Sequence, residues 1–151
     1  MLLLLWCLLF CFFFRDSNVS LVTGSDKLKT VEQIGENVYN ACARVYNCSG
    51  NDVYEQNTQI EFNDWTLPSE VEWFLTGKLN ASPYGVKTGL HIEHRTGMIN
   101  FSIVGRNANT EQRKDYYQWD RIVNERKHIA SEFNSTFPDL EADIGGETGI
   151  D

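Results

Sequence analysis

Three arginines carry most of the chemistry that residue type and spacing suggest. Arg95 stands at the tip of one alternating segment, Arg106 closes the next, and Arg113 lies in the first turn of the helical pattern that follows. Guanidinium groups present planar donors matched to phosphate oxygens, and a helix N-terminus adds a dipole that favours an anion. Brought together, the three would clamp a phosphate. The same spacing equally allows three solvated arginines paired with Glu93, Glu111 or Asp115. A second candidate is Thr23-Gly24-Ser25-Asp26, which follows a short apolar run and precedes a helical pattern. At the carboxyl end of a strand, backbone N–H groups and a hydroxyl can cradle a phosphate; a plain turn with a helix cap uses the same residue types.

Other reactive side chains are less well placed. His91 and His94 flank Glu93, but alternation along a strand puts His91, Glu93 and Arg95 on one face and His94 on the other, a poor start for a two-histidine metal site. His128 reads as exposed on a helix. Cys42 and Cys48 are six apart with no CxxC and no nearby histidine, so they do not make a zinc set. They read as buried free thiols in a reducing compartment, with a Cys42–Cys48 disulfide as the other arrangement. No Ser/His/Asp order, Walker loop or GxGxxG occurs, and Asp139 and Asp143 read as solvated, so spacing names no covalent nucleophile. Trp65, Trp73 and Trp119 read as packing residues.

These candidates sit in a chain of 151 residues, with 13 Lys and Arg against 21 Asp and Glu and a net charge of -8. A nucleic-acid module draws its affinity from a basic surface, so that class is excluded, and a polybasic membrane-surface role is equally unsupported. At 42% hydrophobic residues the chain is not disordered. Met1 to Phe14 are all apolar. That run is short for a spanning helix, which needs about 20 residues, and it has neither a basic n-region nor a small-residue cleavage site. It reads as a damaged or mis-started N-terminus, with a signal peptide as the alternative. Sequons at Asn18, Asn47, Asn80, Asn100 and Asn134 favour a secreted reading, but Asn100 falls inside a predicted strand.

The elements that must position the candidates follow from periodicity. Ser20 to Val22 reads as a strand, and Ser25 or Asp26 as the cap of a helix. Leu28, Val31, Ile34, Val38 and Ala41 form the buried face of that helix. A second strand starts at Val45-Tyr46 and closes at the Cys48–Asp52 turn cluster. This β-α-β order implies a piece of a parallel sheet. After a loop at Asn63-Asp64 and Pro68, Glu70 to Leu79 reads as a short amphipathic helix. Leu90 to Arg95 and Met98 to Val104 alternate about a Thr96-Gly97 turn, an antiparallel hairpin. Asn109 with Gln112 resembles a capping box opening one long helix to about Phe133, and Leu140 to Ile144 reads as a last strand. The expected organisation is an unassigned leader over 1–19, a partial core over 20–59 and a cap over 60–151.

The stretch from His91 to Arg106, HIEHRTGMINFSIVGR, followed by Glu111 to Tyr117, EQRKDYY, resembles the cap of eukaryotic-type phosphomannomutases, which reads I-E-F-R-x-G-M-x-N-x-S-x-x-G-R and then E-E-R. Leu21 to Asp26 is similar to the same family's V-x-G-G-S-D, and Gly145 to Asp151 to its G-G-x-x-S-F-D. The resemblance implies an α/β fold: a partial haloacid dehalogenase-like core (β-α-β), then an α+β cap with an antiparallel sheet and helices on one face. It implies the interconversion of mannose 6-phosphate and mannose 1-phosphate through an aspartyl-phosphate, with Mg²⁺, in cytoplasmic GDP-mannose supply. Arg95, Arg106 and Arg113 would hold the phosphate not being transferred. Asp151 and Gly149 would line the sugar, and Thr23, Gly24 and Ser25 would hold phosphate in the core. The partner is a hexose phosphate, and the family's cap also allows a homodimer.

This chain departs from the pattern in three places. The apolar leader stands where the family carries the D-x-D-G-T nucleophile segment. The metal-binding G-D…P-G-G-N-D would fall beyond Asp151. Gly149 replaces a serine. The expectation is therefore an internal piece of a mutase, inactive as it stands and with no metal ligand to name. A haloacid dehalogenase-type sugar phosphatase and a non-catalytic, secreted sugar-phosphate-binding module are the alternatives.

Overall fold

The structure, a computed structural model, describes residues 19–151. The apolar leader, Cys7, Cys11 and the Asn18 sequon lie outside the described residues. The described residues divide into two units: residues 19–65 with Arg95–Gly97, and Thr66–His94 with Met98–Asp151. Among the described residues there are five α-helices and two four-stranded sheets, one mixed and one antiparallel.

In the first unit, β1 (Ser20–Val22) pairs in parallel with β2 (Arg44–Asn47). Between them run α1 (Lys27–Ile34) and α2 (Glu36–Ala41). The β-α-β unit is thus present, but its helix is broken. Gly35 takes φ 83, a conformation glycine reaches without steric cost, and its N–H closes on the Val31 carbonyl at 2.8 Å. The break rotates the predicted face: Leu28 is 85% exposed and Ala41 is exposed, whereas Thr30 and Tyr39 are buried. Thr30 is satisfied by its hydroxyl donating to the Asp26 carbonyl at 2.7 Å. Tyr39, Cys42 and Val45 form a small core, with Leu21, Val31, Ile34 and Tyr54 packed around it.

The sheet is mixed rather than parallel because a hairpin follows, where the sequence showed only a turn cluster and a loop. β3 (Asp52–Glu55) runs antiparallel to both β2 and β4 (Thr58–Phe62). Its two-residue turn, Gln56-Asn57, has φ 45 and 68, the doubly left-handed geometry that matches strand twist. β4 is an edge strand, exposed along its whole length.

The second unit holds α3 (Ser69–Ala81) and an antiparallel sheet in the order β5 (Ile92–Arg95), β6 (Met98–Phe101), β8 (Gly149–Ile150), β7 (Ile144–Gly145). The expected hairpin forms β5 and β6, turning at Thr96-Gly97. The Asn109–Gln112 capping box is present, with reciprocal bonds of 2.9 Å. The helix it opens is not continuous to Phe133, however. α4 (Thr110–Val123) ends at Asn124, which adopts φ 55 and ψ 34, and α5 (Glu125–Thr136) starts anew. Asparagine tolerates this left-handed geometry better than most residues. The last strand is also displaced: Leu140 to Asp143 is irregular, and Ile144–Gly145 folds back through a turn onto Gly149–Ile150.

The core of the second unit gathers Val71 and Leu75 from α3, Phe101 from β6, Tyr116 from α4, Ile129 and Phe133 from α5 and Ile150 from β8. Trp119 packs against it, in ring contact with Tyr84 and Tyr116. Trp73 does not pack as expected, being 77% exposed. No described helix is long and apolar enough to cross a membrane. Asn47 and Asn100 are buried, so neither amide is open to a glycan in the folded chain.

Candidate functional site

Arg106 and Arg113 meet in one corner of the second unit. The β5–β6 hairpin continues past its regular ladder: Ser102 N–H donates to the His91 carbonyl at 2.9 Å and Arg106 N–H to the Leu90 carbonyl at 2.7 Å. These bonds fix the backbone of Arg106. The capping box does the same for α4, whose first turn carries Arg113. Arg113 then reaches back: its Nη2 donates to the Arg106 carbonyl at 2.6 Å, its Nε to the Ala108 carbonyl at 2.9 Å, and its Nη1 to the Thr148 hydroxyl at 3.4 Å.

The two arginines differ in charge balance. Arg106 is ion-paired with Glu93 at 3.0 Å, and its Nη1 donates to Asn100 Oδ1 at 3.3 Å. Pairing with Glu93 was one of the alternatives the spacing allowed, and it occurs. Arg113 is hydrogen-bonded only to neutral oxygens, and no carboxylate among the described residues pairs with it. Its half-buried guanidinium is therefore held rigidly, with its charge uncompensated. Asp151 joins the same corner by accepting from Asn100 Nδ2 at 2.6 Å.

Glycines let this corner close. A Cβ on Gly149 would stand 2.4 Å from Asn100 Nδ2, and one on Gly145 would stand 2.0 Å from Asp151 Oδ2. Both distances are far inside van der Waals contact, so Gly145 admits the Asp151 side chain and Gly149 that of Asn100. Sequence reasoning passed over Asn100, Thr148 and the buried pair Asp120–Arg126, which brace the corner. Asn100 stands in the HIEHRTGMIN stretch, but its role depends on Asp151, 51 residues away, and no local pattern shows that.

Arg95 counts to the first unit, where its Nη1 donates to the Gly24 carbonyl at 3.0 Å. The Thr23–Asp26 segment is a tight turn. Thr23 Oγ1 accepts from Ser25 N–H at 3.1 Å, Asp26 Oδ1 caps Lys29 N–H at 2.8 Å, and the Thr23 and Ser25 carbonyls accept from Ser49 and Cys48 N–H. The Asp26 cap is as expected. Thr23 directs its hydroxyl into the turn, toward the Ser25 N–H.

Cys42 and Cys48 are buried and free, and burial pushes both thiols up. They are thus held as neutral thiols rather than reactive thiolates. His91 is part-buried with Nδ1 2.8 Å from the Ser102 carbonyl; His94 and His128 are exposed, as are Asp139 and Asp143. Among the described residues no three His, Cys, Asp or Glu side chains are grouped to hold a metal ion. The described residues therefore offer no three-ligand set for the Mg²⁺ that the resemblance implies.

Taken together, these features define an α/β chain whose second unit brings Arg106 and Arg113 together in one hydrogen-bonded corner. The pattern of the family described as eukaryotic phosphomannomutase matches residues 13–151, and the chain belongs to that family. It is 29% identical over 141 residues to a phosphomannomutase of Saccharomyces cerevisiae, covering 88% of this chain and 56% of that protein. It is 32% identical over 144 residues to one of Schizosaccharomyces pombe, covering 88% and 56%. A phosphomannomutase of Arabidopsis thaliana is 29% identical over 142 residues, with 88% and 57% covered. The chain thus spans little more than half the length of these relatives.

Proposed function

We propose that residues 60–151 act as the substrate-gripping cap of a phosphomannomutase-type isomerase, and that residues 20–59 contribute part of its core. The ligand is a hexose phosphate, mannose 6-phosphate or mannose 1-phosphate, in cytoplasmic mannose metabolism. Arg106 and Arg113, with Arg95, hold the phosphate that is not transferred. Asp151 accepts from a sugar hydroxyl beside Gly149, and Thr23, Gly24 and Ser25 bind phosphate in the core.

The observation that carries this reading is the state of Arg113. Three hydrogen bonds to neutral oxygens hold its guanidinium without a pairing carboxylate. An anion arriving there meets an oriented charge and needs little reorganisation, and positioning of this kind is much of what a phosphoryl-transfer enzyme supplies. Arg106 donates to an anionic oxygen, that of Glu93 at 3.0 Å, which supports its taking a phosphate oxygen in exchange.

Isothermal calorimetry with mannose 6-phosphate tests the reading. A charge-assisted contact contributes about 1.5–3 kcal/mol, so Arg113→Ala and Arg106→Ala should each weaken binding about 10- to 100-fold. Equal affinity in wild type and both variants would remove the clamp.

A further inference from the structure

The buried guanidinium of Arg126 has no place in the phosphate clamp, yet it grips the turn on which the clamp rests. Arg126 is 4% exposed. Its Nε donates to Asp120 Oδ2 at 2.8 Å and its backbone N–H to Asp120 Oδ1 at 2.9 Å. Its Nη1 then donates to the carbonyls of Gly146 at 3.0 Å and Gly149 at 3.3 Å, the two ends of the β7–β8 turn. That turn carries Thr148, which accepts from Arg113. It also leads into Asp151, which accepts from Asn100, the partner of Arg106. Supports of both clamp arginines therefore pass through one turn, and one buried side chain holds that turn from α5.

We propose that Arg126, oriented by Asp120, is the positioning residue of the sugar-phosphate site: it sets the Gly146–Gly149 turn so that Thr148 and Asp151 stand correctly for Arg113 and the sugar. This role rests on the function proposed above. A buried ion pair is weak evidence of stability, because desolvation offsets most of its attraction. What this pair adds is direction, since the planar fork of arginine bonds the carboxylate with one edge and two carbonyls with another. Asn124 makes the arrangement possible. By breaking the helix in left-handed geometry, it turns the first residues of α5 back toward Asp120 at the end of α4.

Arg126→Lys is the discriminating variant. Lysine keeps the positive charge beside Asp120, so no buried carboxylate is left unpaired, but its single nitrogen cannot hold Asp120 and both carbonyls as the fork does. Two readouts are taken on the full chain under conditions where circular dichroism shows it folded. One is the affinity for mannose 6-phosphate. The other, made without ligand, is the exchange rate of the Asp151 amide, whose N–H bonds the Asp143 carbonyl at 2.9 Å. The expected result is an affinity at least about tenfold weaker, within the roughly 10²-fold that a misplacement of about 1 Å can cost, together with faster Asp151 exchange. A folded Arg126→Lys protein with unchanged affinity or unchanged Asp151 exchange overturns the positioning role. A wild-type protein that binds no hexose phosphate overturns the proposed function and this role with it, and that failure shows before any substitution is made.

Discussion

Replacing Gly149 with alanine asks whether the closed corner has the geometry described. The added Cβ would lie 2.4 Å from Asn100 Nδ2 and 3.0 Å from the Gly145 carbonyl. Asn100 is 5% exposed, so its amide has no open side to swing into. If Asn100 moves, the chain loses the 2.6 Å bond to Asp151, about 1.5–3 kcal/mol for a charged acceptor. If Asn100 holds, β8 must shift instead, and such overpacking costs about 1–3 kcal/mol. Either route predicts a loss of about 2 kcal/mol, read as a lower urea midpoint. Serine brings the same Cβ, so Gly149→Ser should behave alike. A double-mutant cycle isolates the cause: in an Asn100→Ala background the closer of the two contacts is gone, and the alanine should cost at least about 1 kcal/mol less. A Gly149→Ala protein within about 0.5 kcal/mol of wild type, the range of ordinary surface changes, would refute the reasoning, as would an equal cost in both backgrounds.

Two further outcomes follow from local geometry and burial. Asn124 holds φ 55 between α4 and α5, so Asn124→Ala should cost about 1 kcal/mol from the left-handed backbone alone, while Asn124→Gly should fall within a few tenths of wild type; thermal melts of the three proteins decide it. Burial raises the pKa of Cys42 and Cys48 above their ordinary value of 9.0. As pH rises past 9 the unfolded chain therefore loses its thiol protons first, so stability is level below that value and falls above it. The urea midpoint should drop between pH 8 and pH 10, less steeply in the Cys42→Ala/Cys48→Ala protein, and a midpoint that rises would contradict the assignment.

What the sequence made legible was local. The Asp26 cap and the Asn109–Gln112 capping box rest on contacts three residues apart, and the Thr96-Gly97 turn lies between two alternating strands. All three read directly from residue types. The parallel pairing of β1 and β2 follows from the helical span between them. The breaks were harder, because Gly35 and Asn124 each interrupt a continuous apolar period whose two halves look like one helix. The β3–β4 hairpin stayed hidden because its turn is Gln56-Asn57, without the glycine that marks such turns, and because its outer strand buries nothing. At the candidate site, the types and spacing of Arg106 and Arg113 allowed a phosphate clamp or pairing with nearby carboxylates, and Arg106 does pair with Glu93. The bracing of Arg113 by Thr148, 35 residues on, and of the β7–β8 turn by Arg126 was not legible. Those contacts depend on how strands and helices assemble, and no window of sequence contains both partners.

The central claim is that Arg106 and Arg113 form a phosphate site, and nitrogen-edited NMR of the arginine Nε–H groups tests it most directly. Mannose 6-phosphate and inorganic phosphate should both shift the Arg106 and Arg113 signals, and mannose alone should leave them in place. Signals that stay fixed with both phosphates, or that move equally with unphosphorylated mannose, would contradict it.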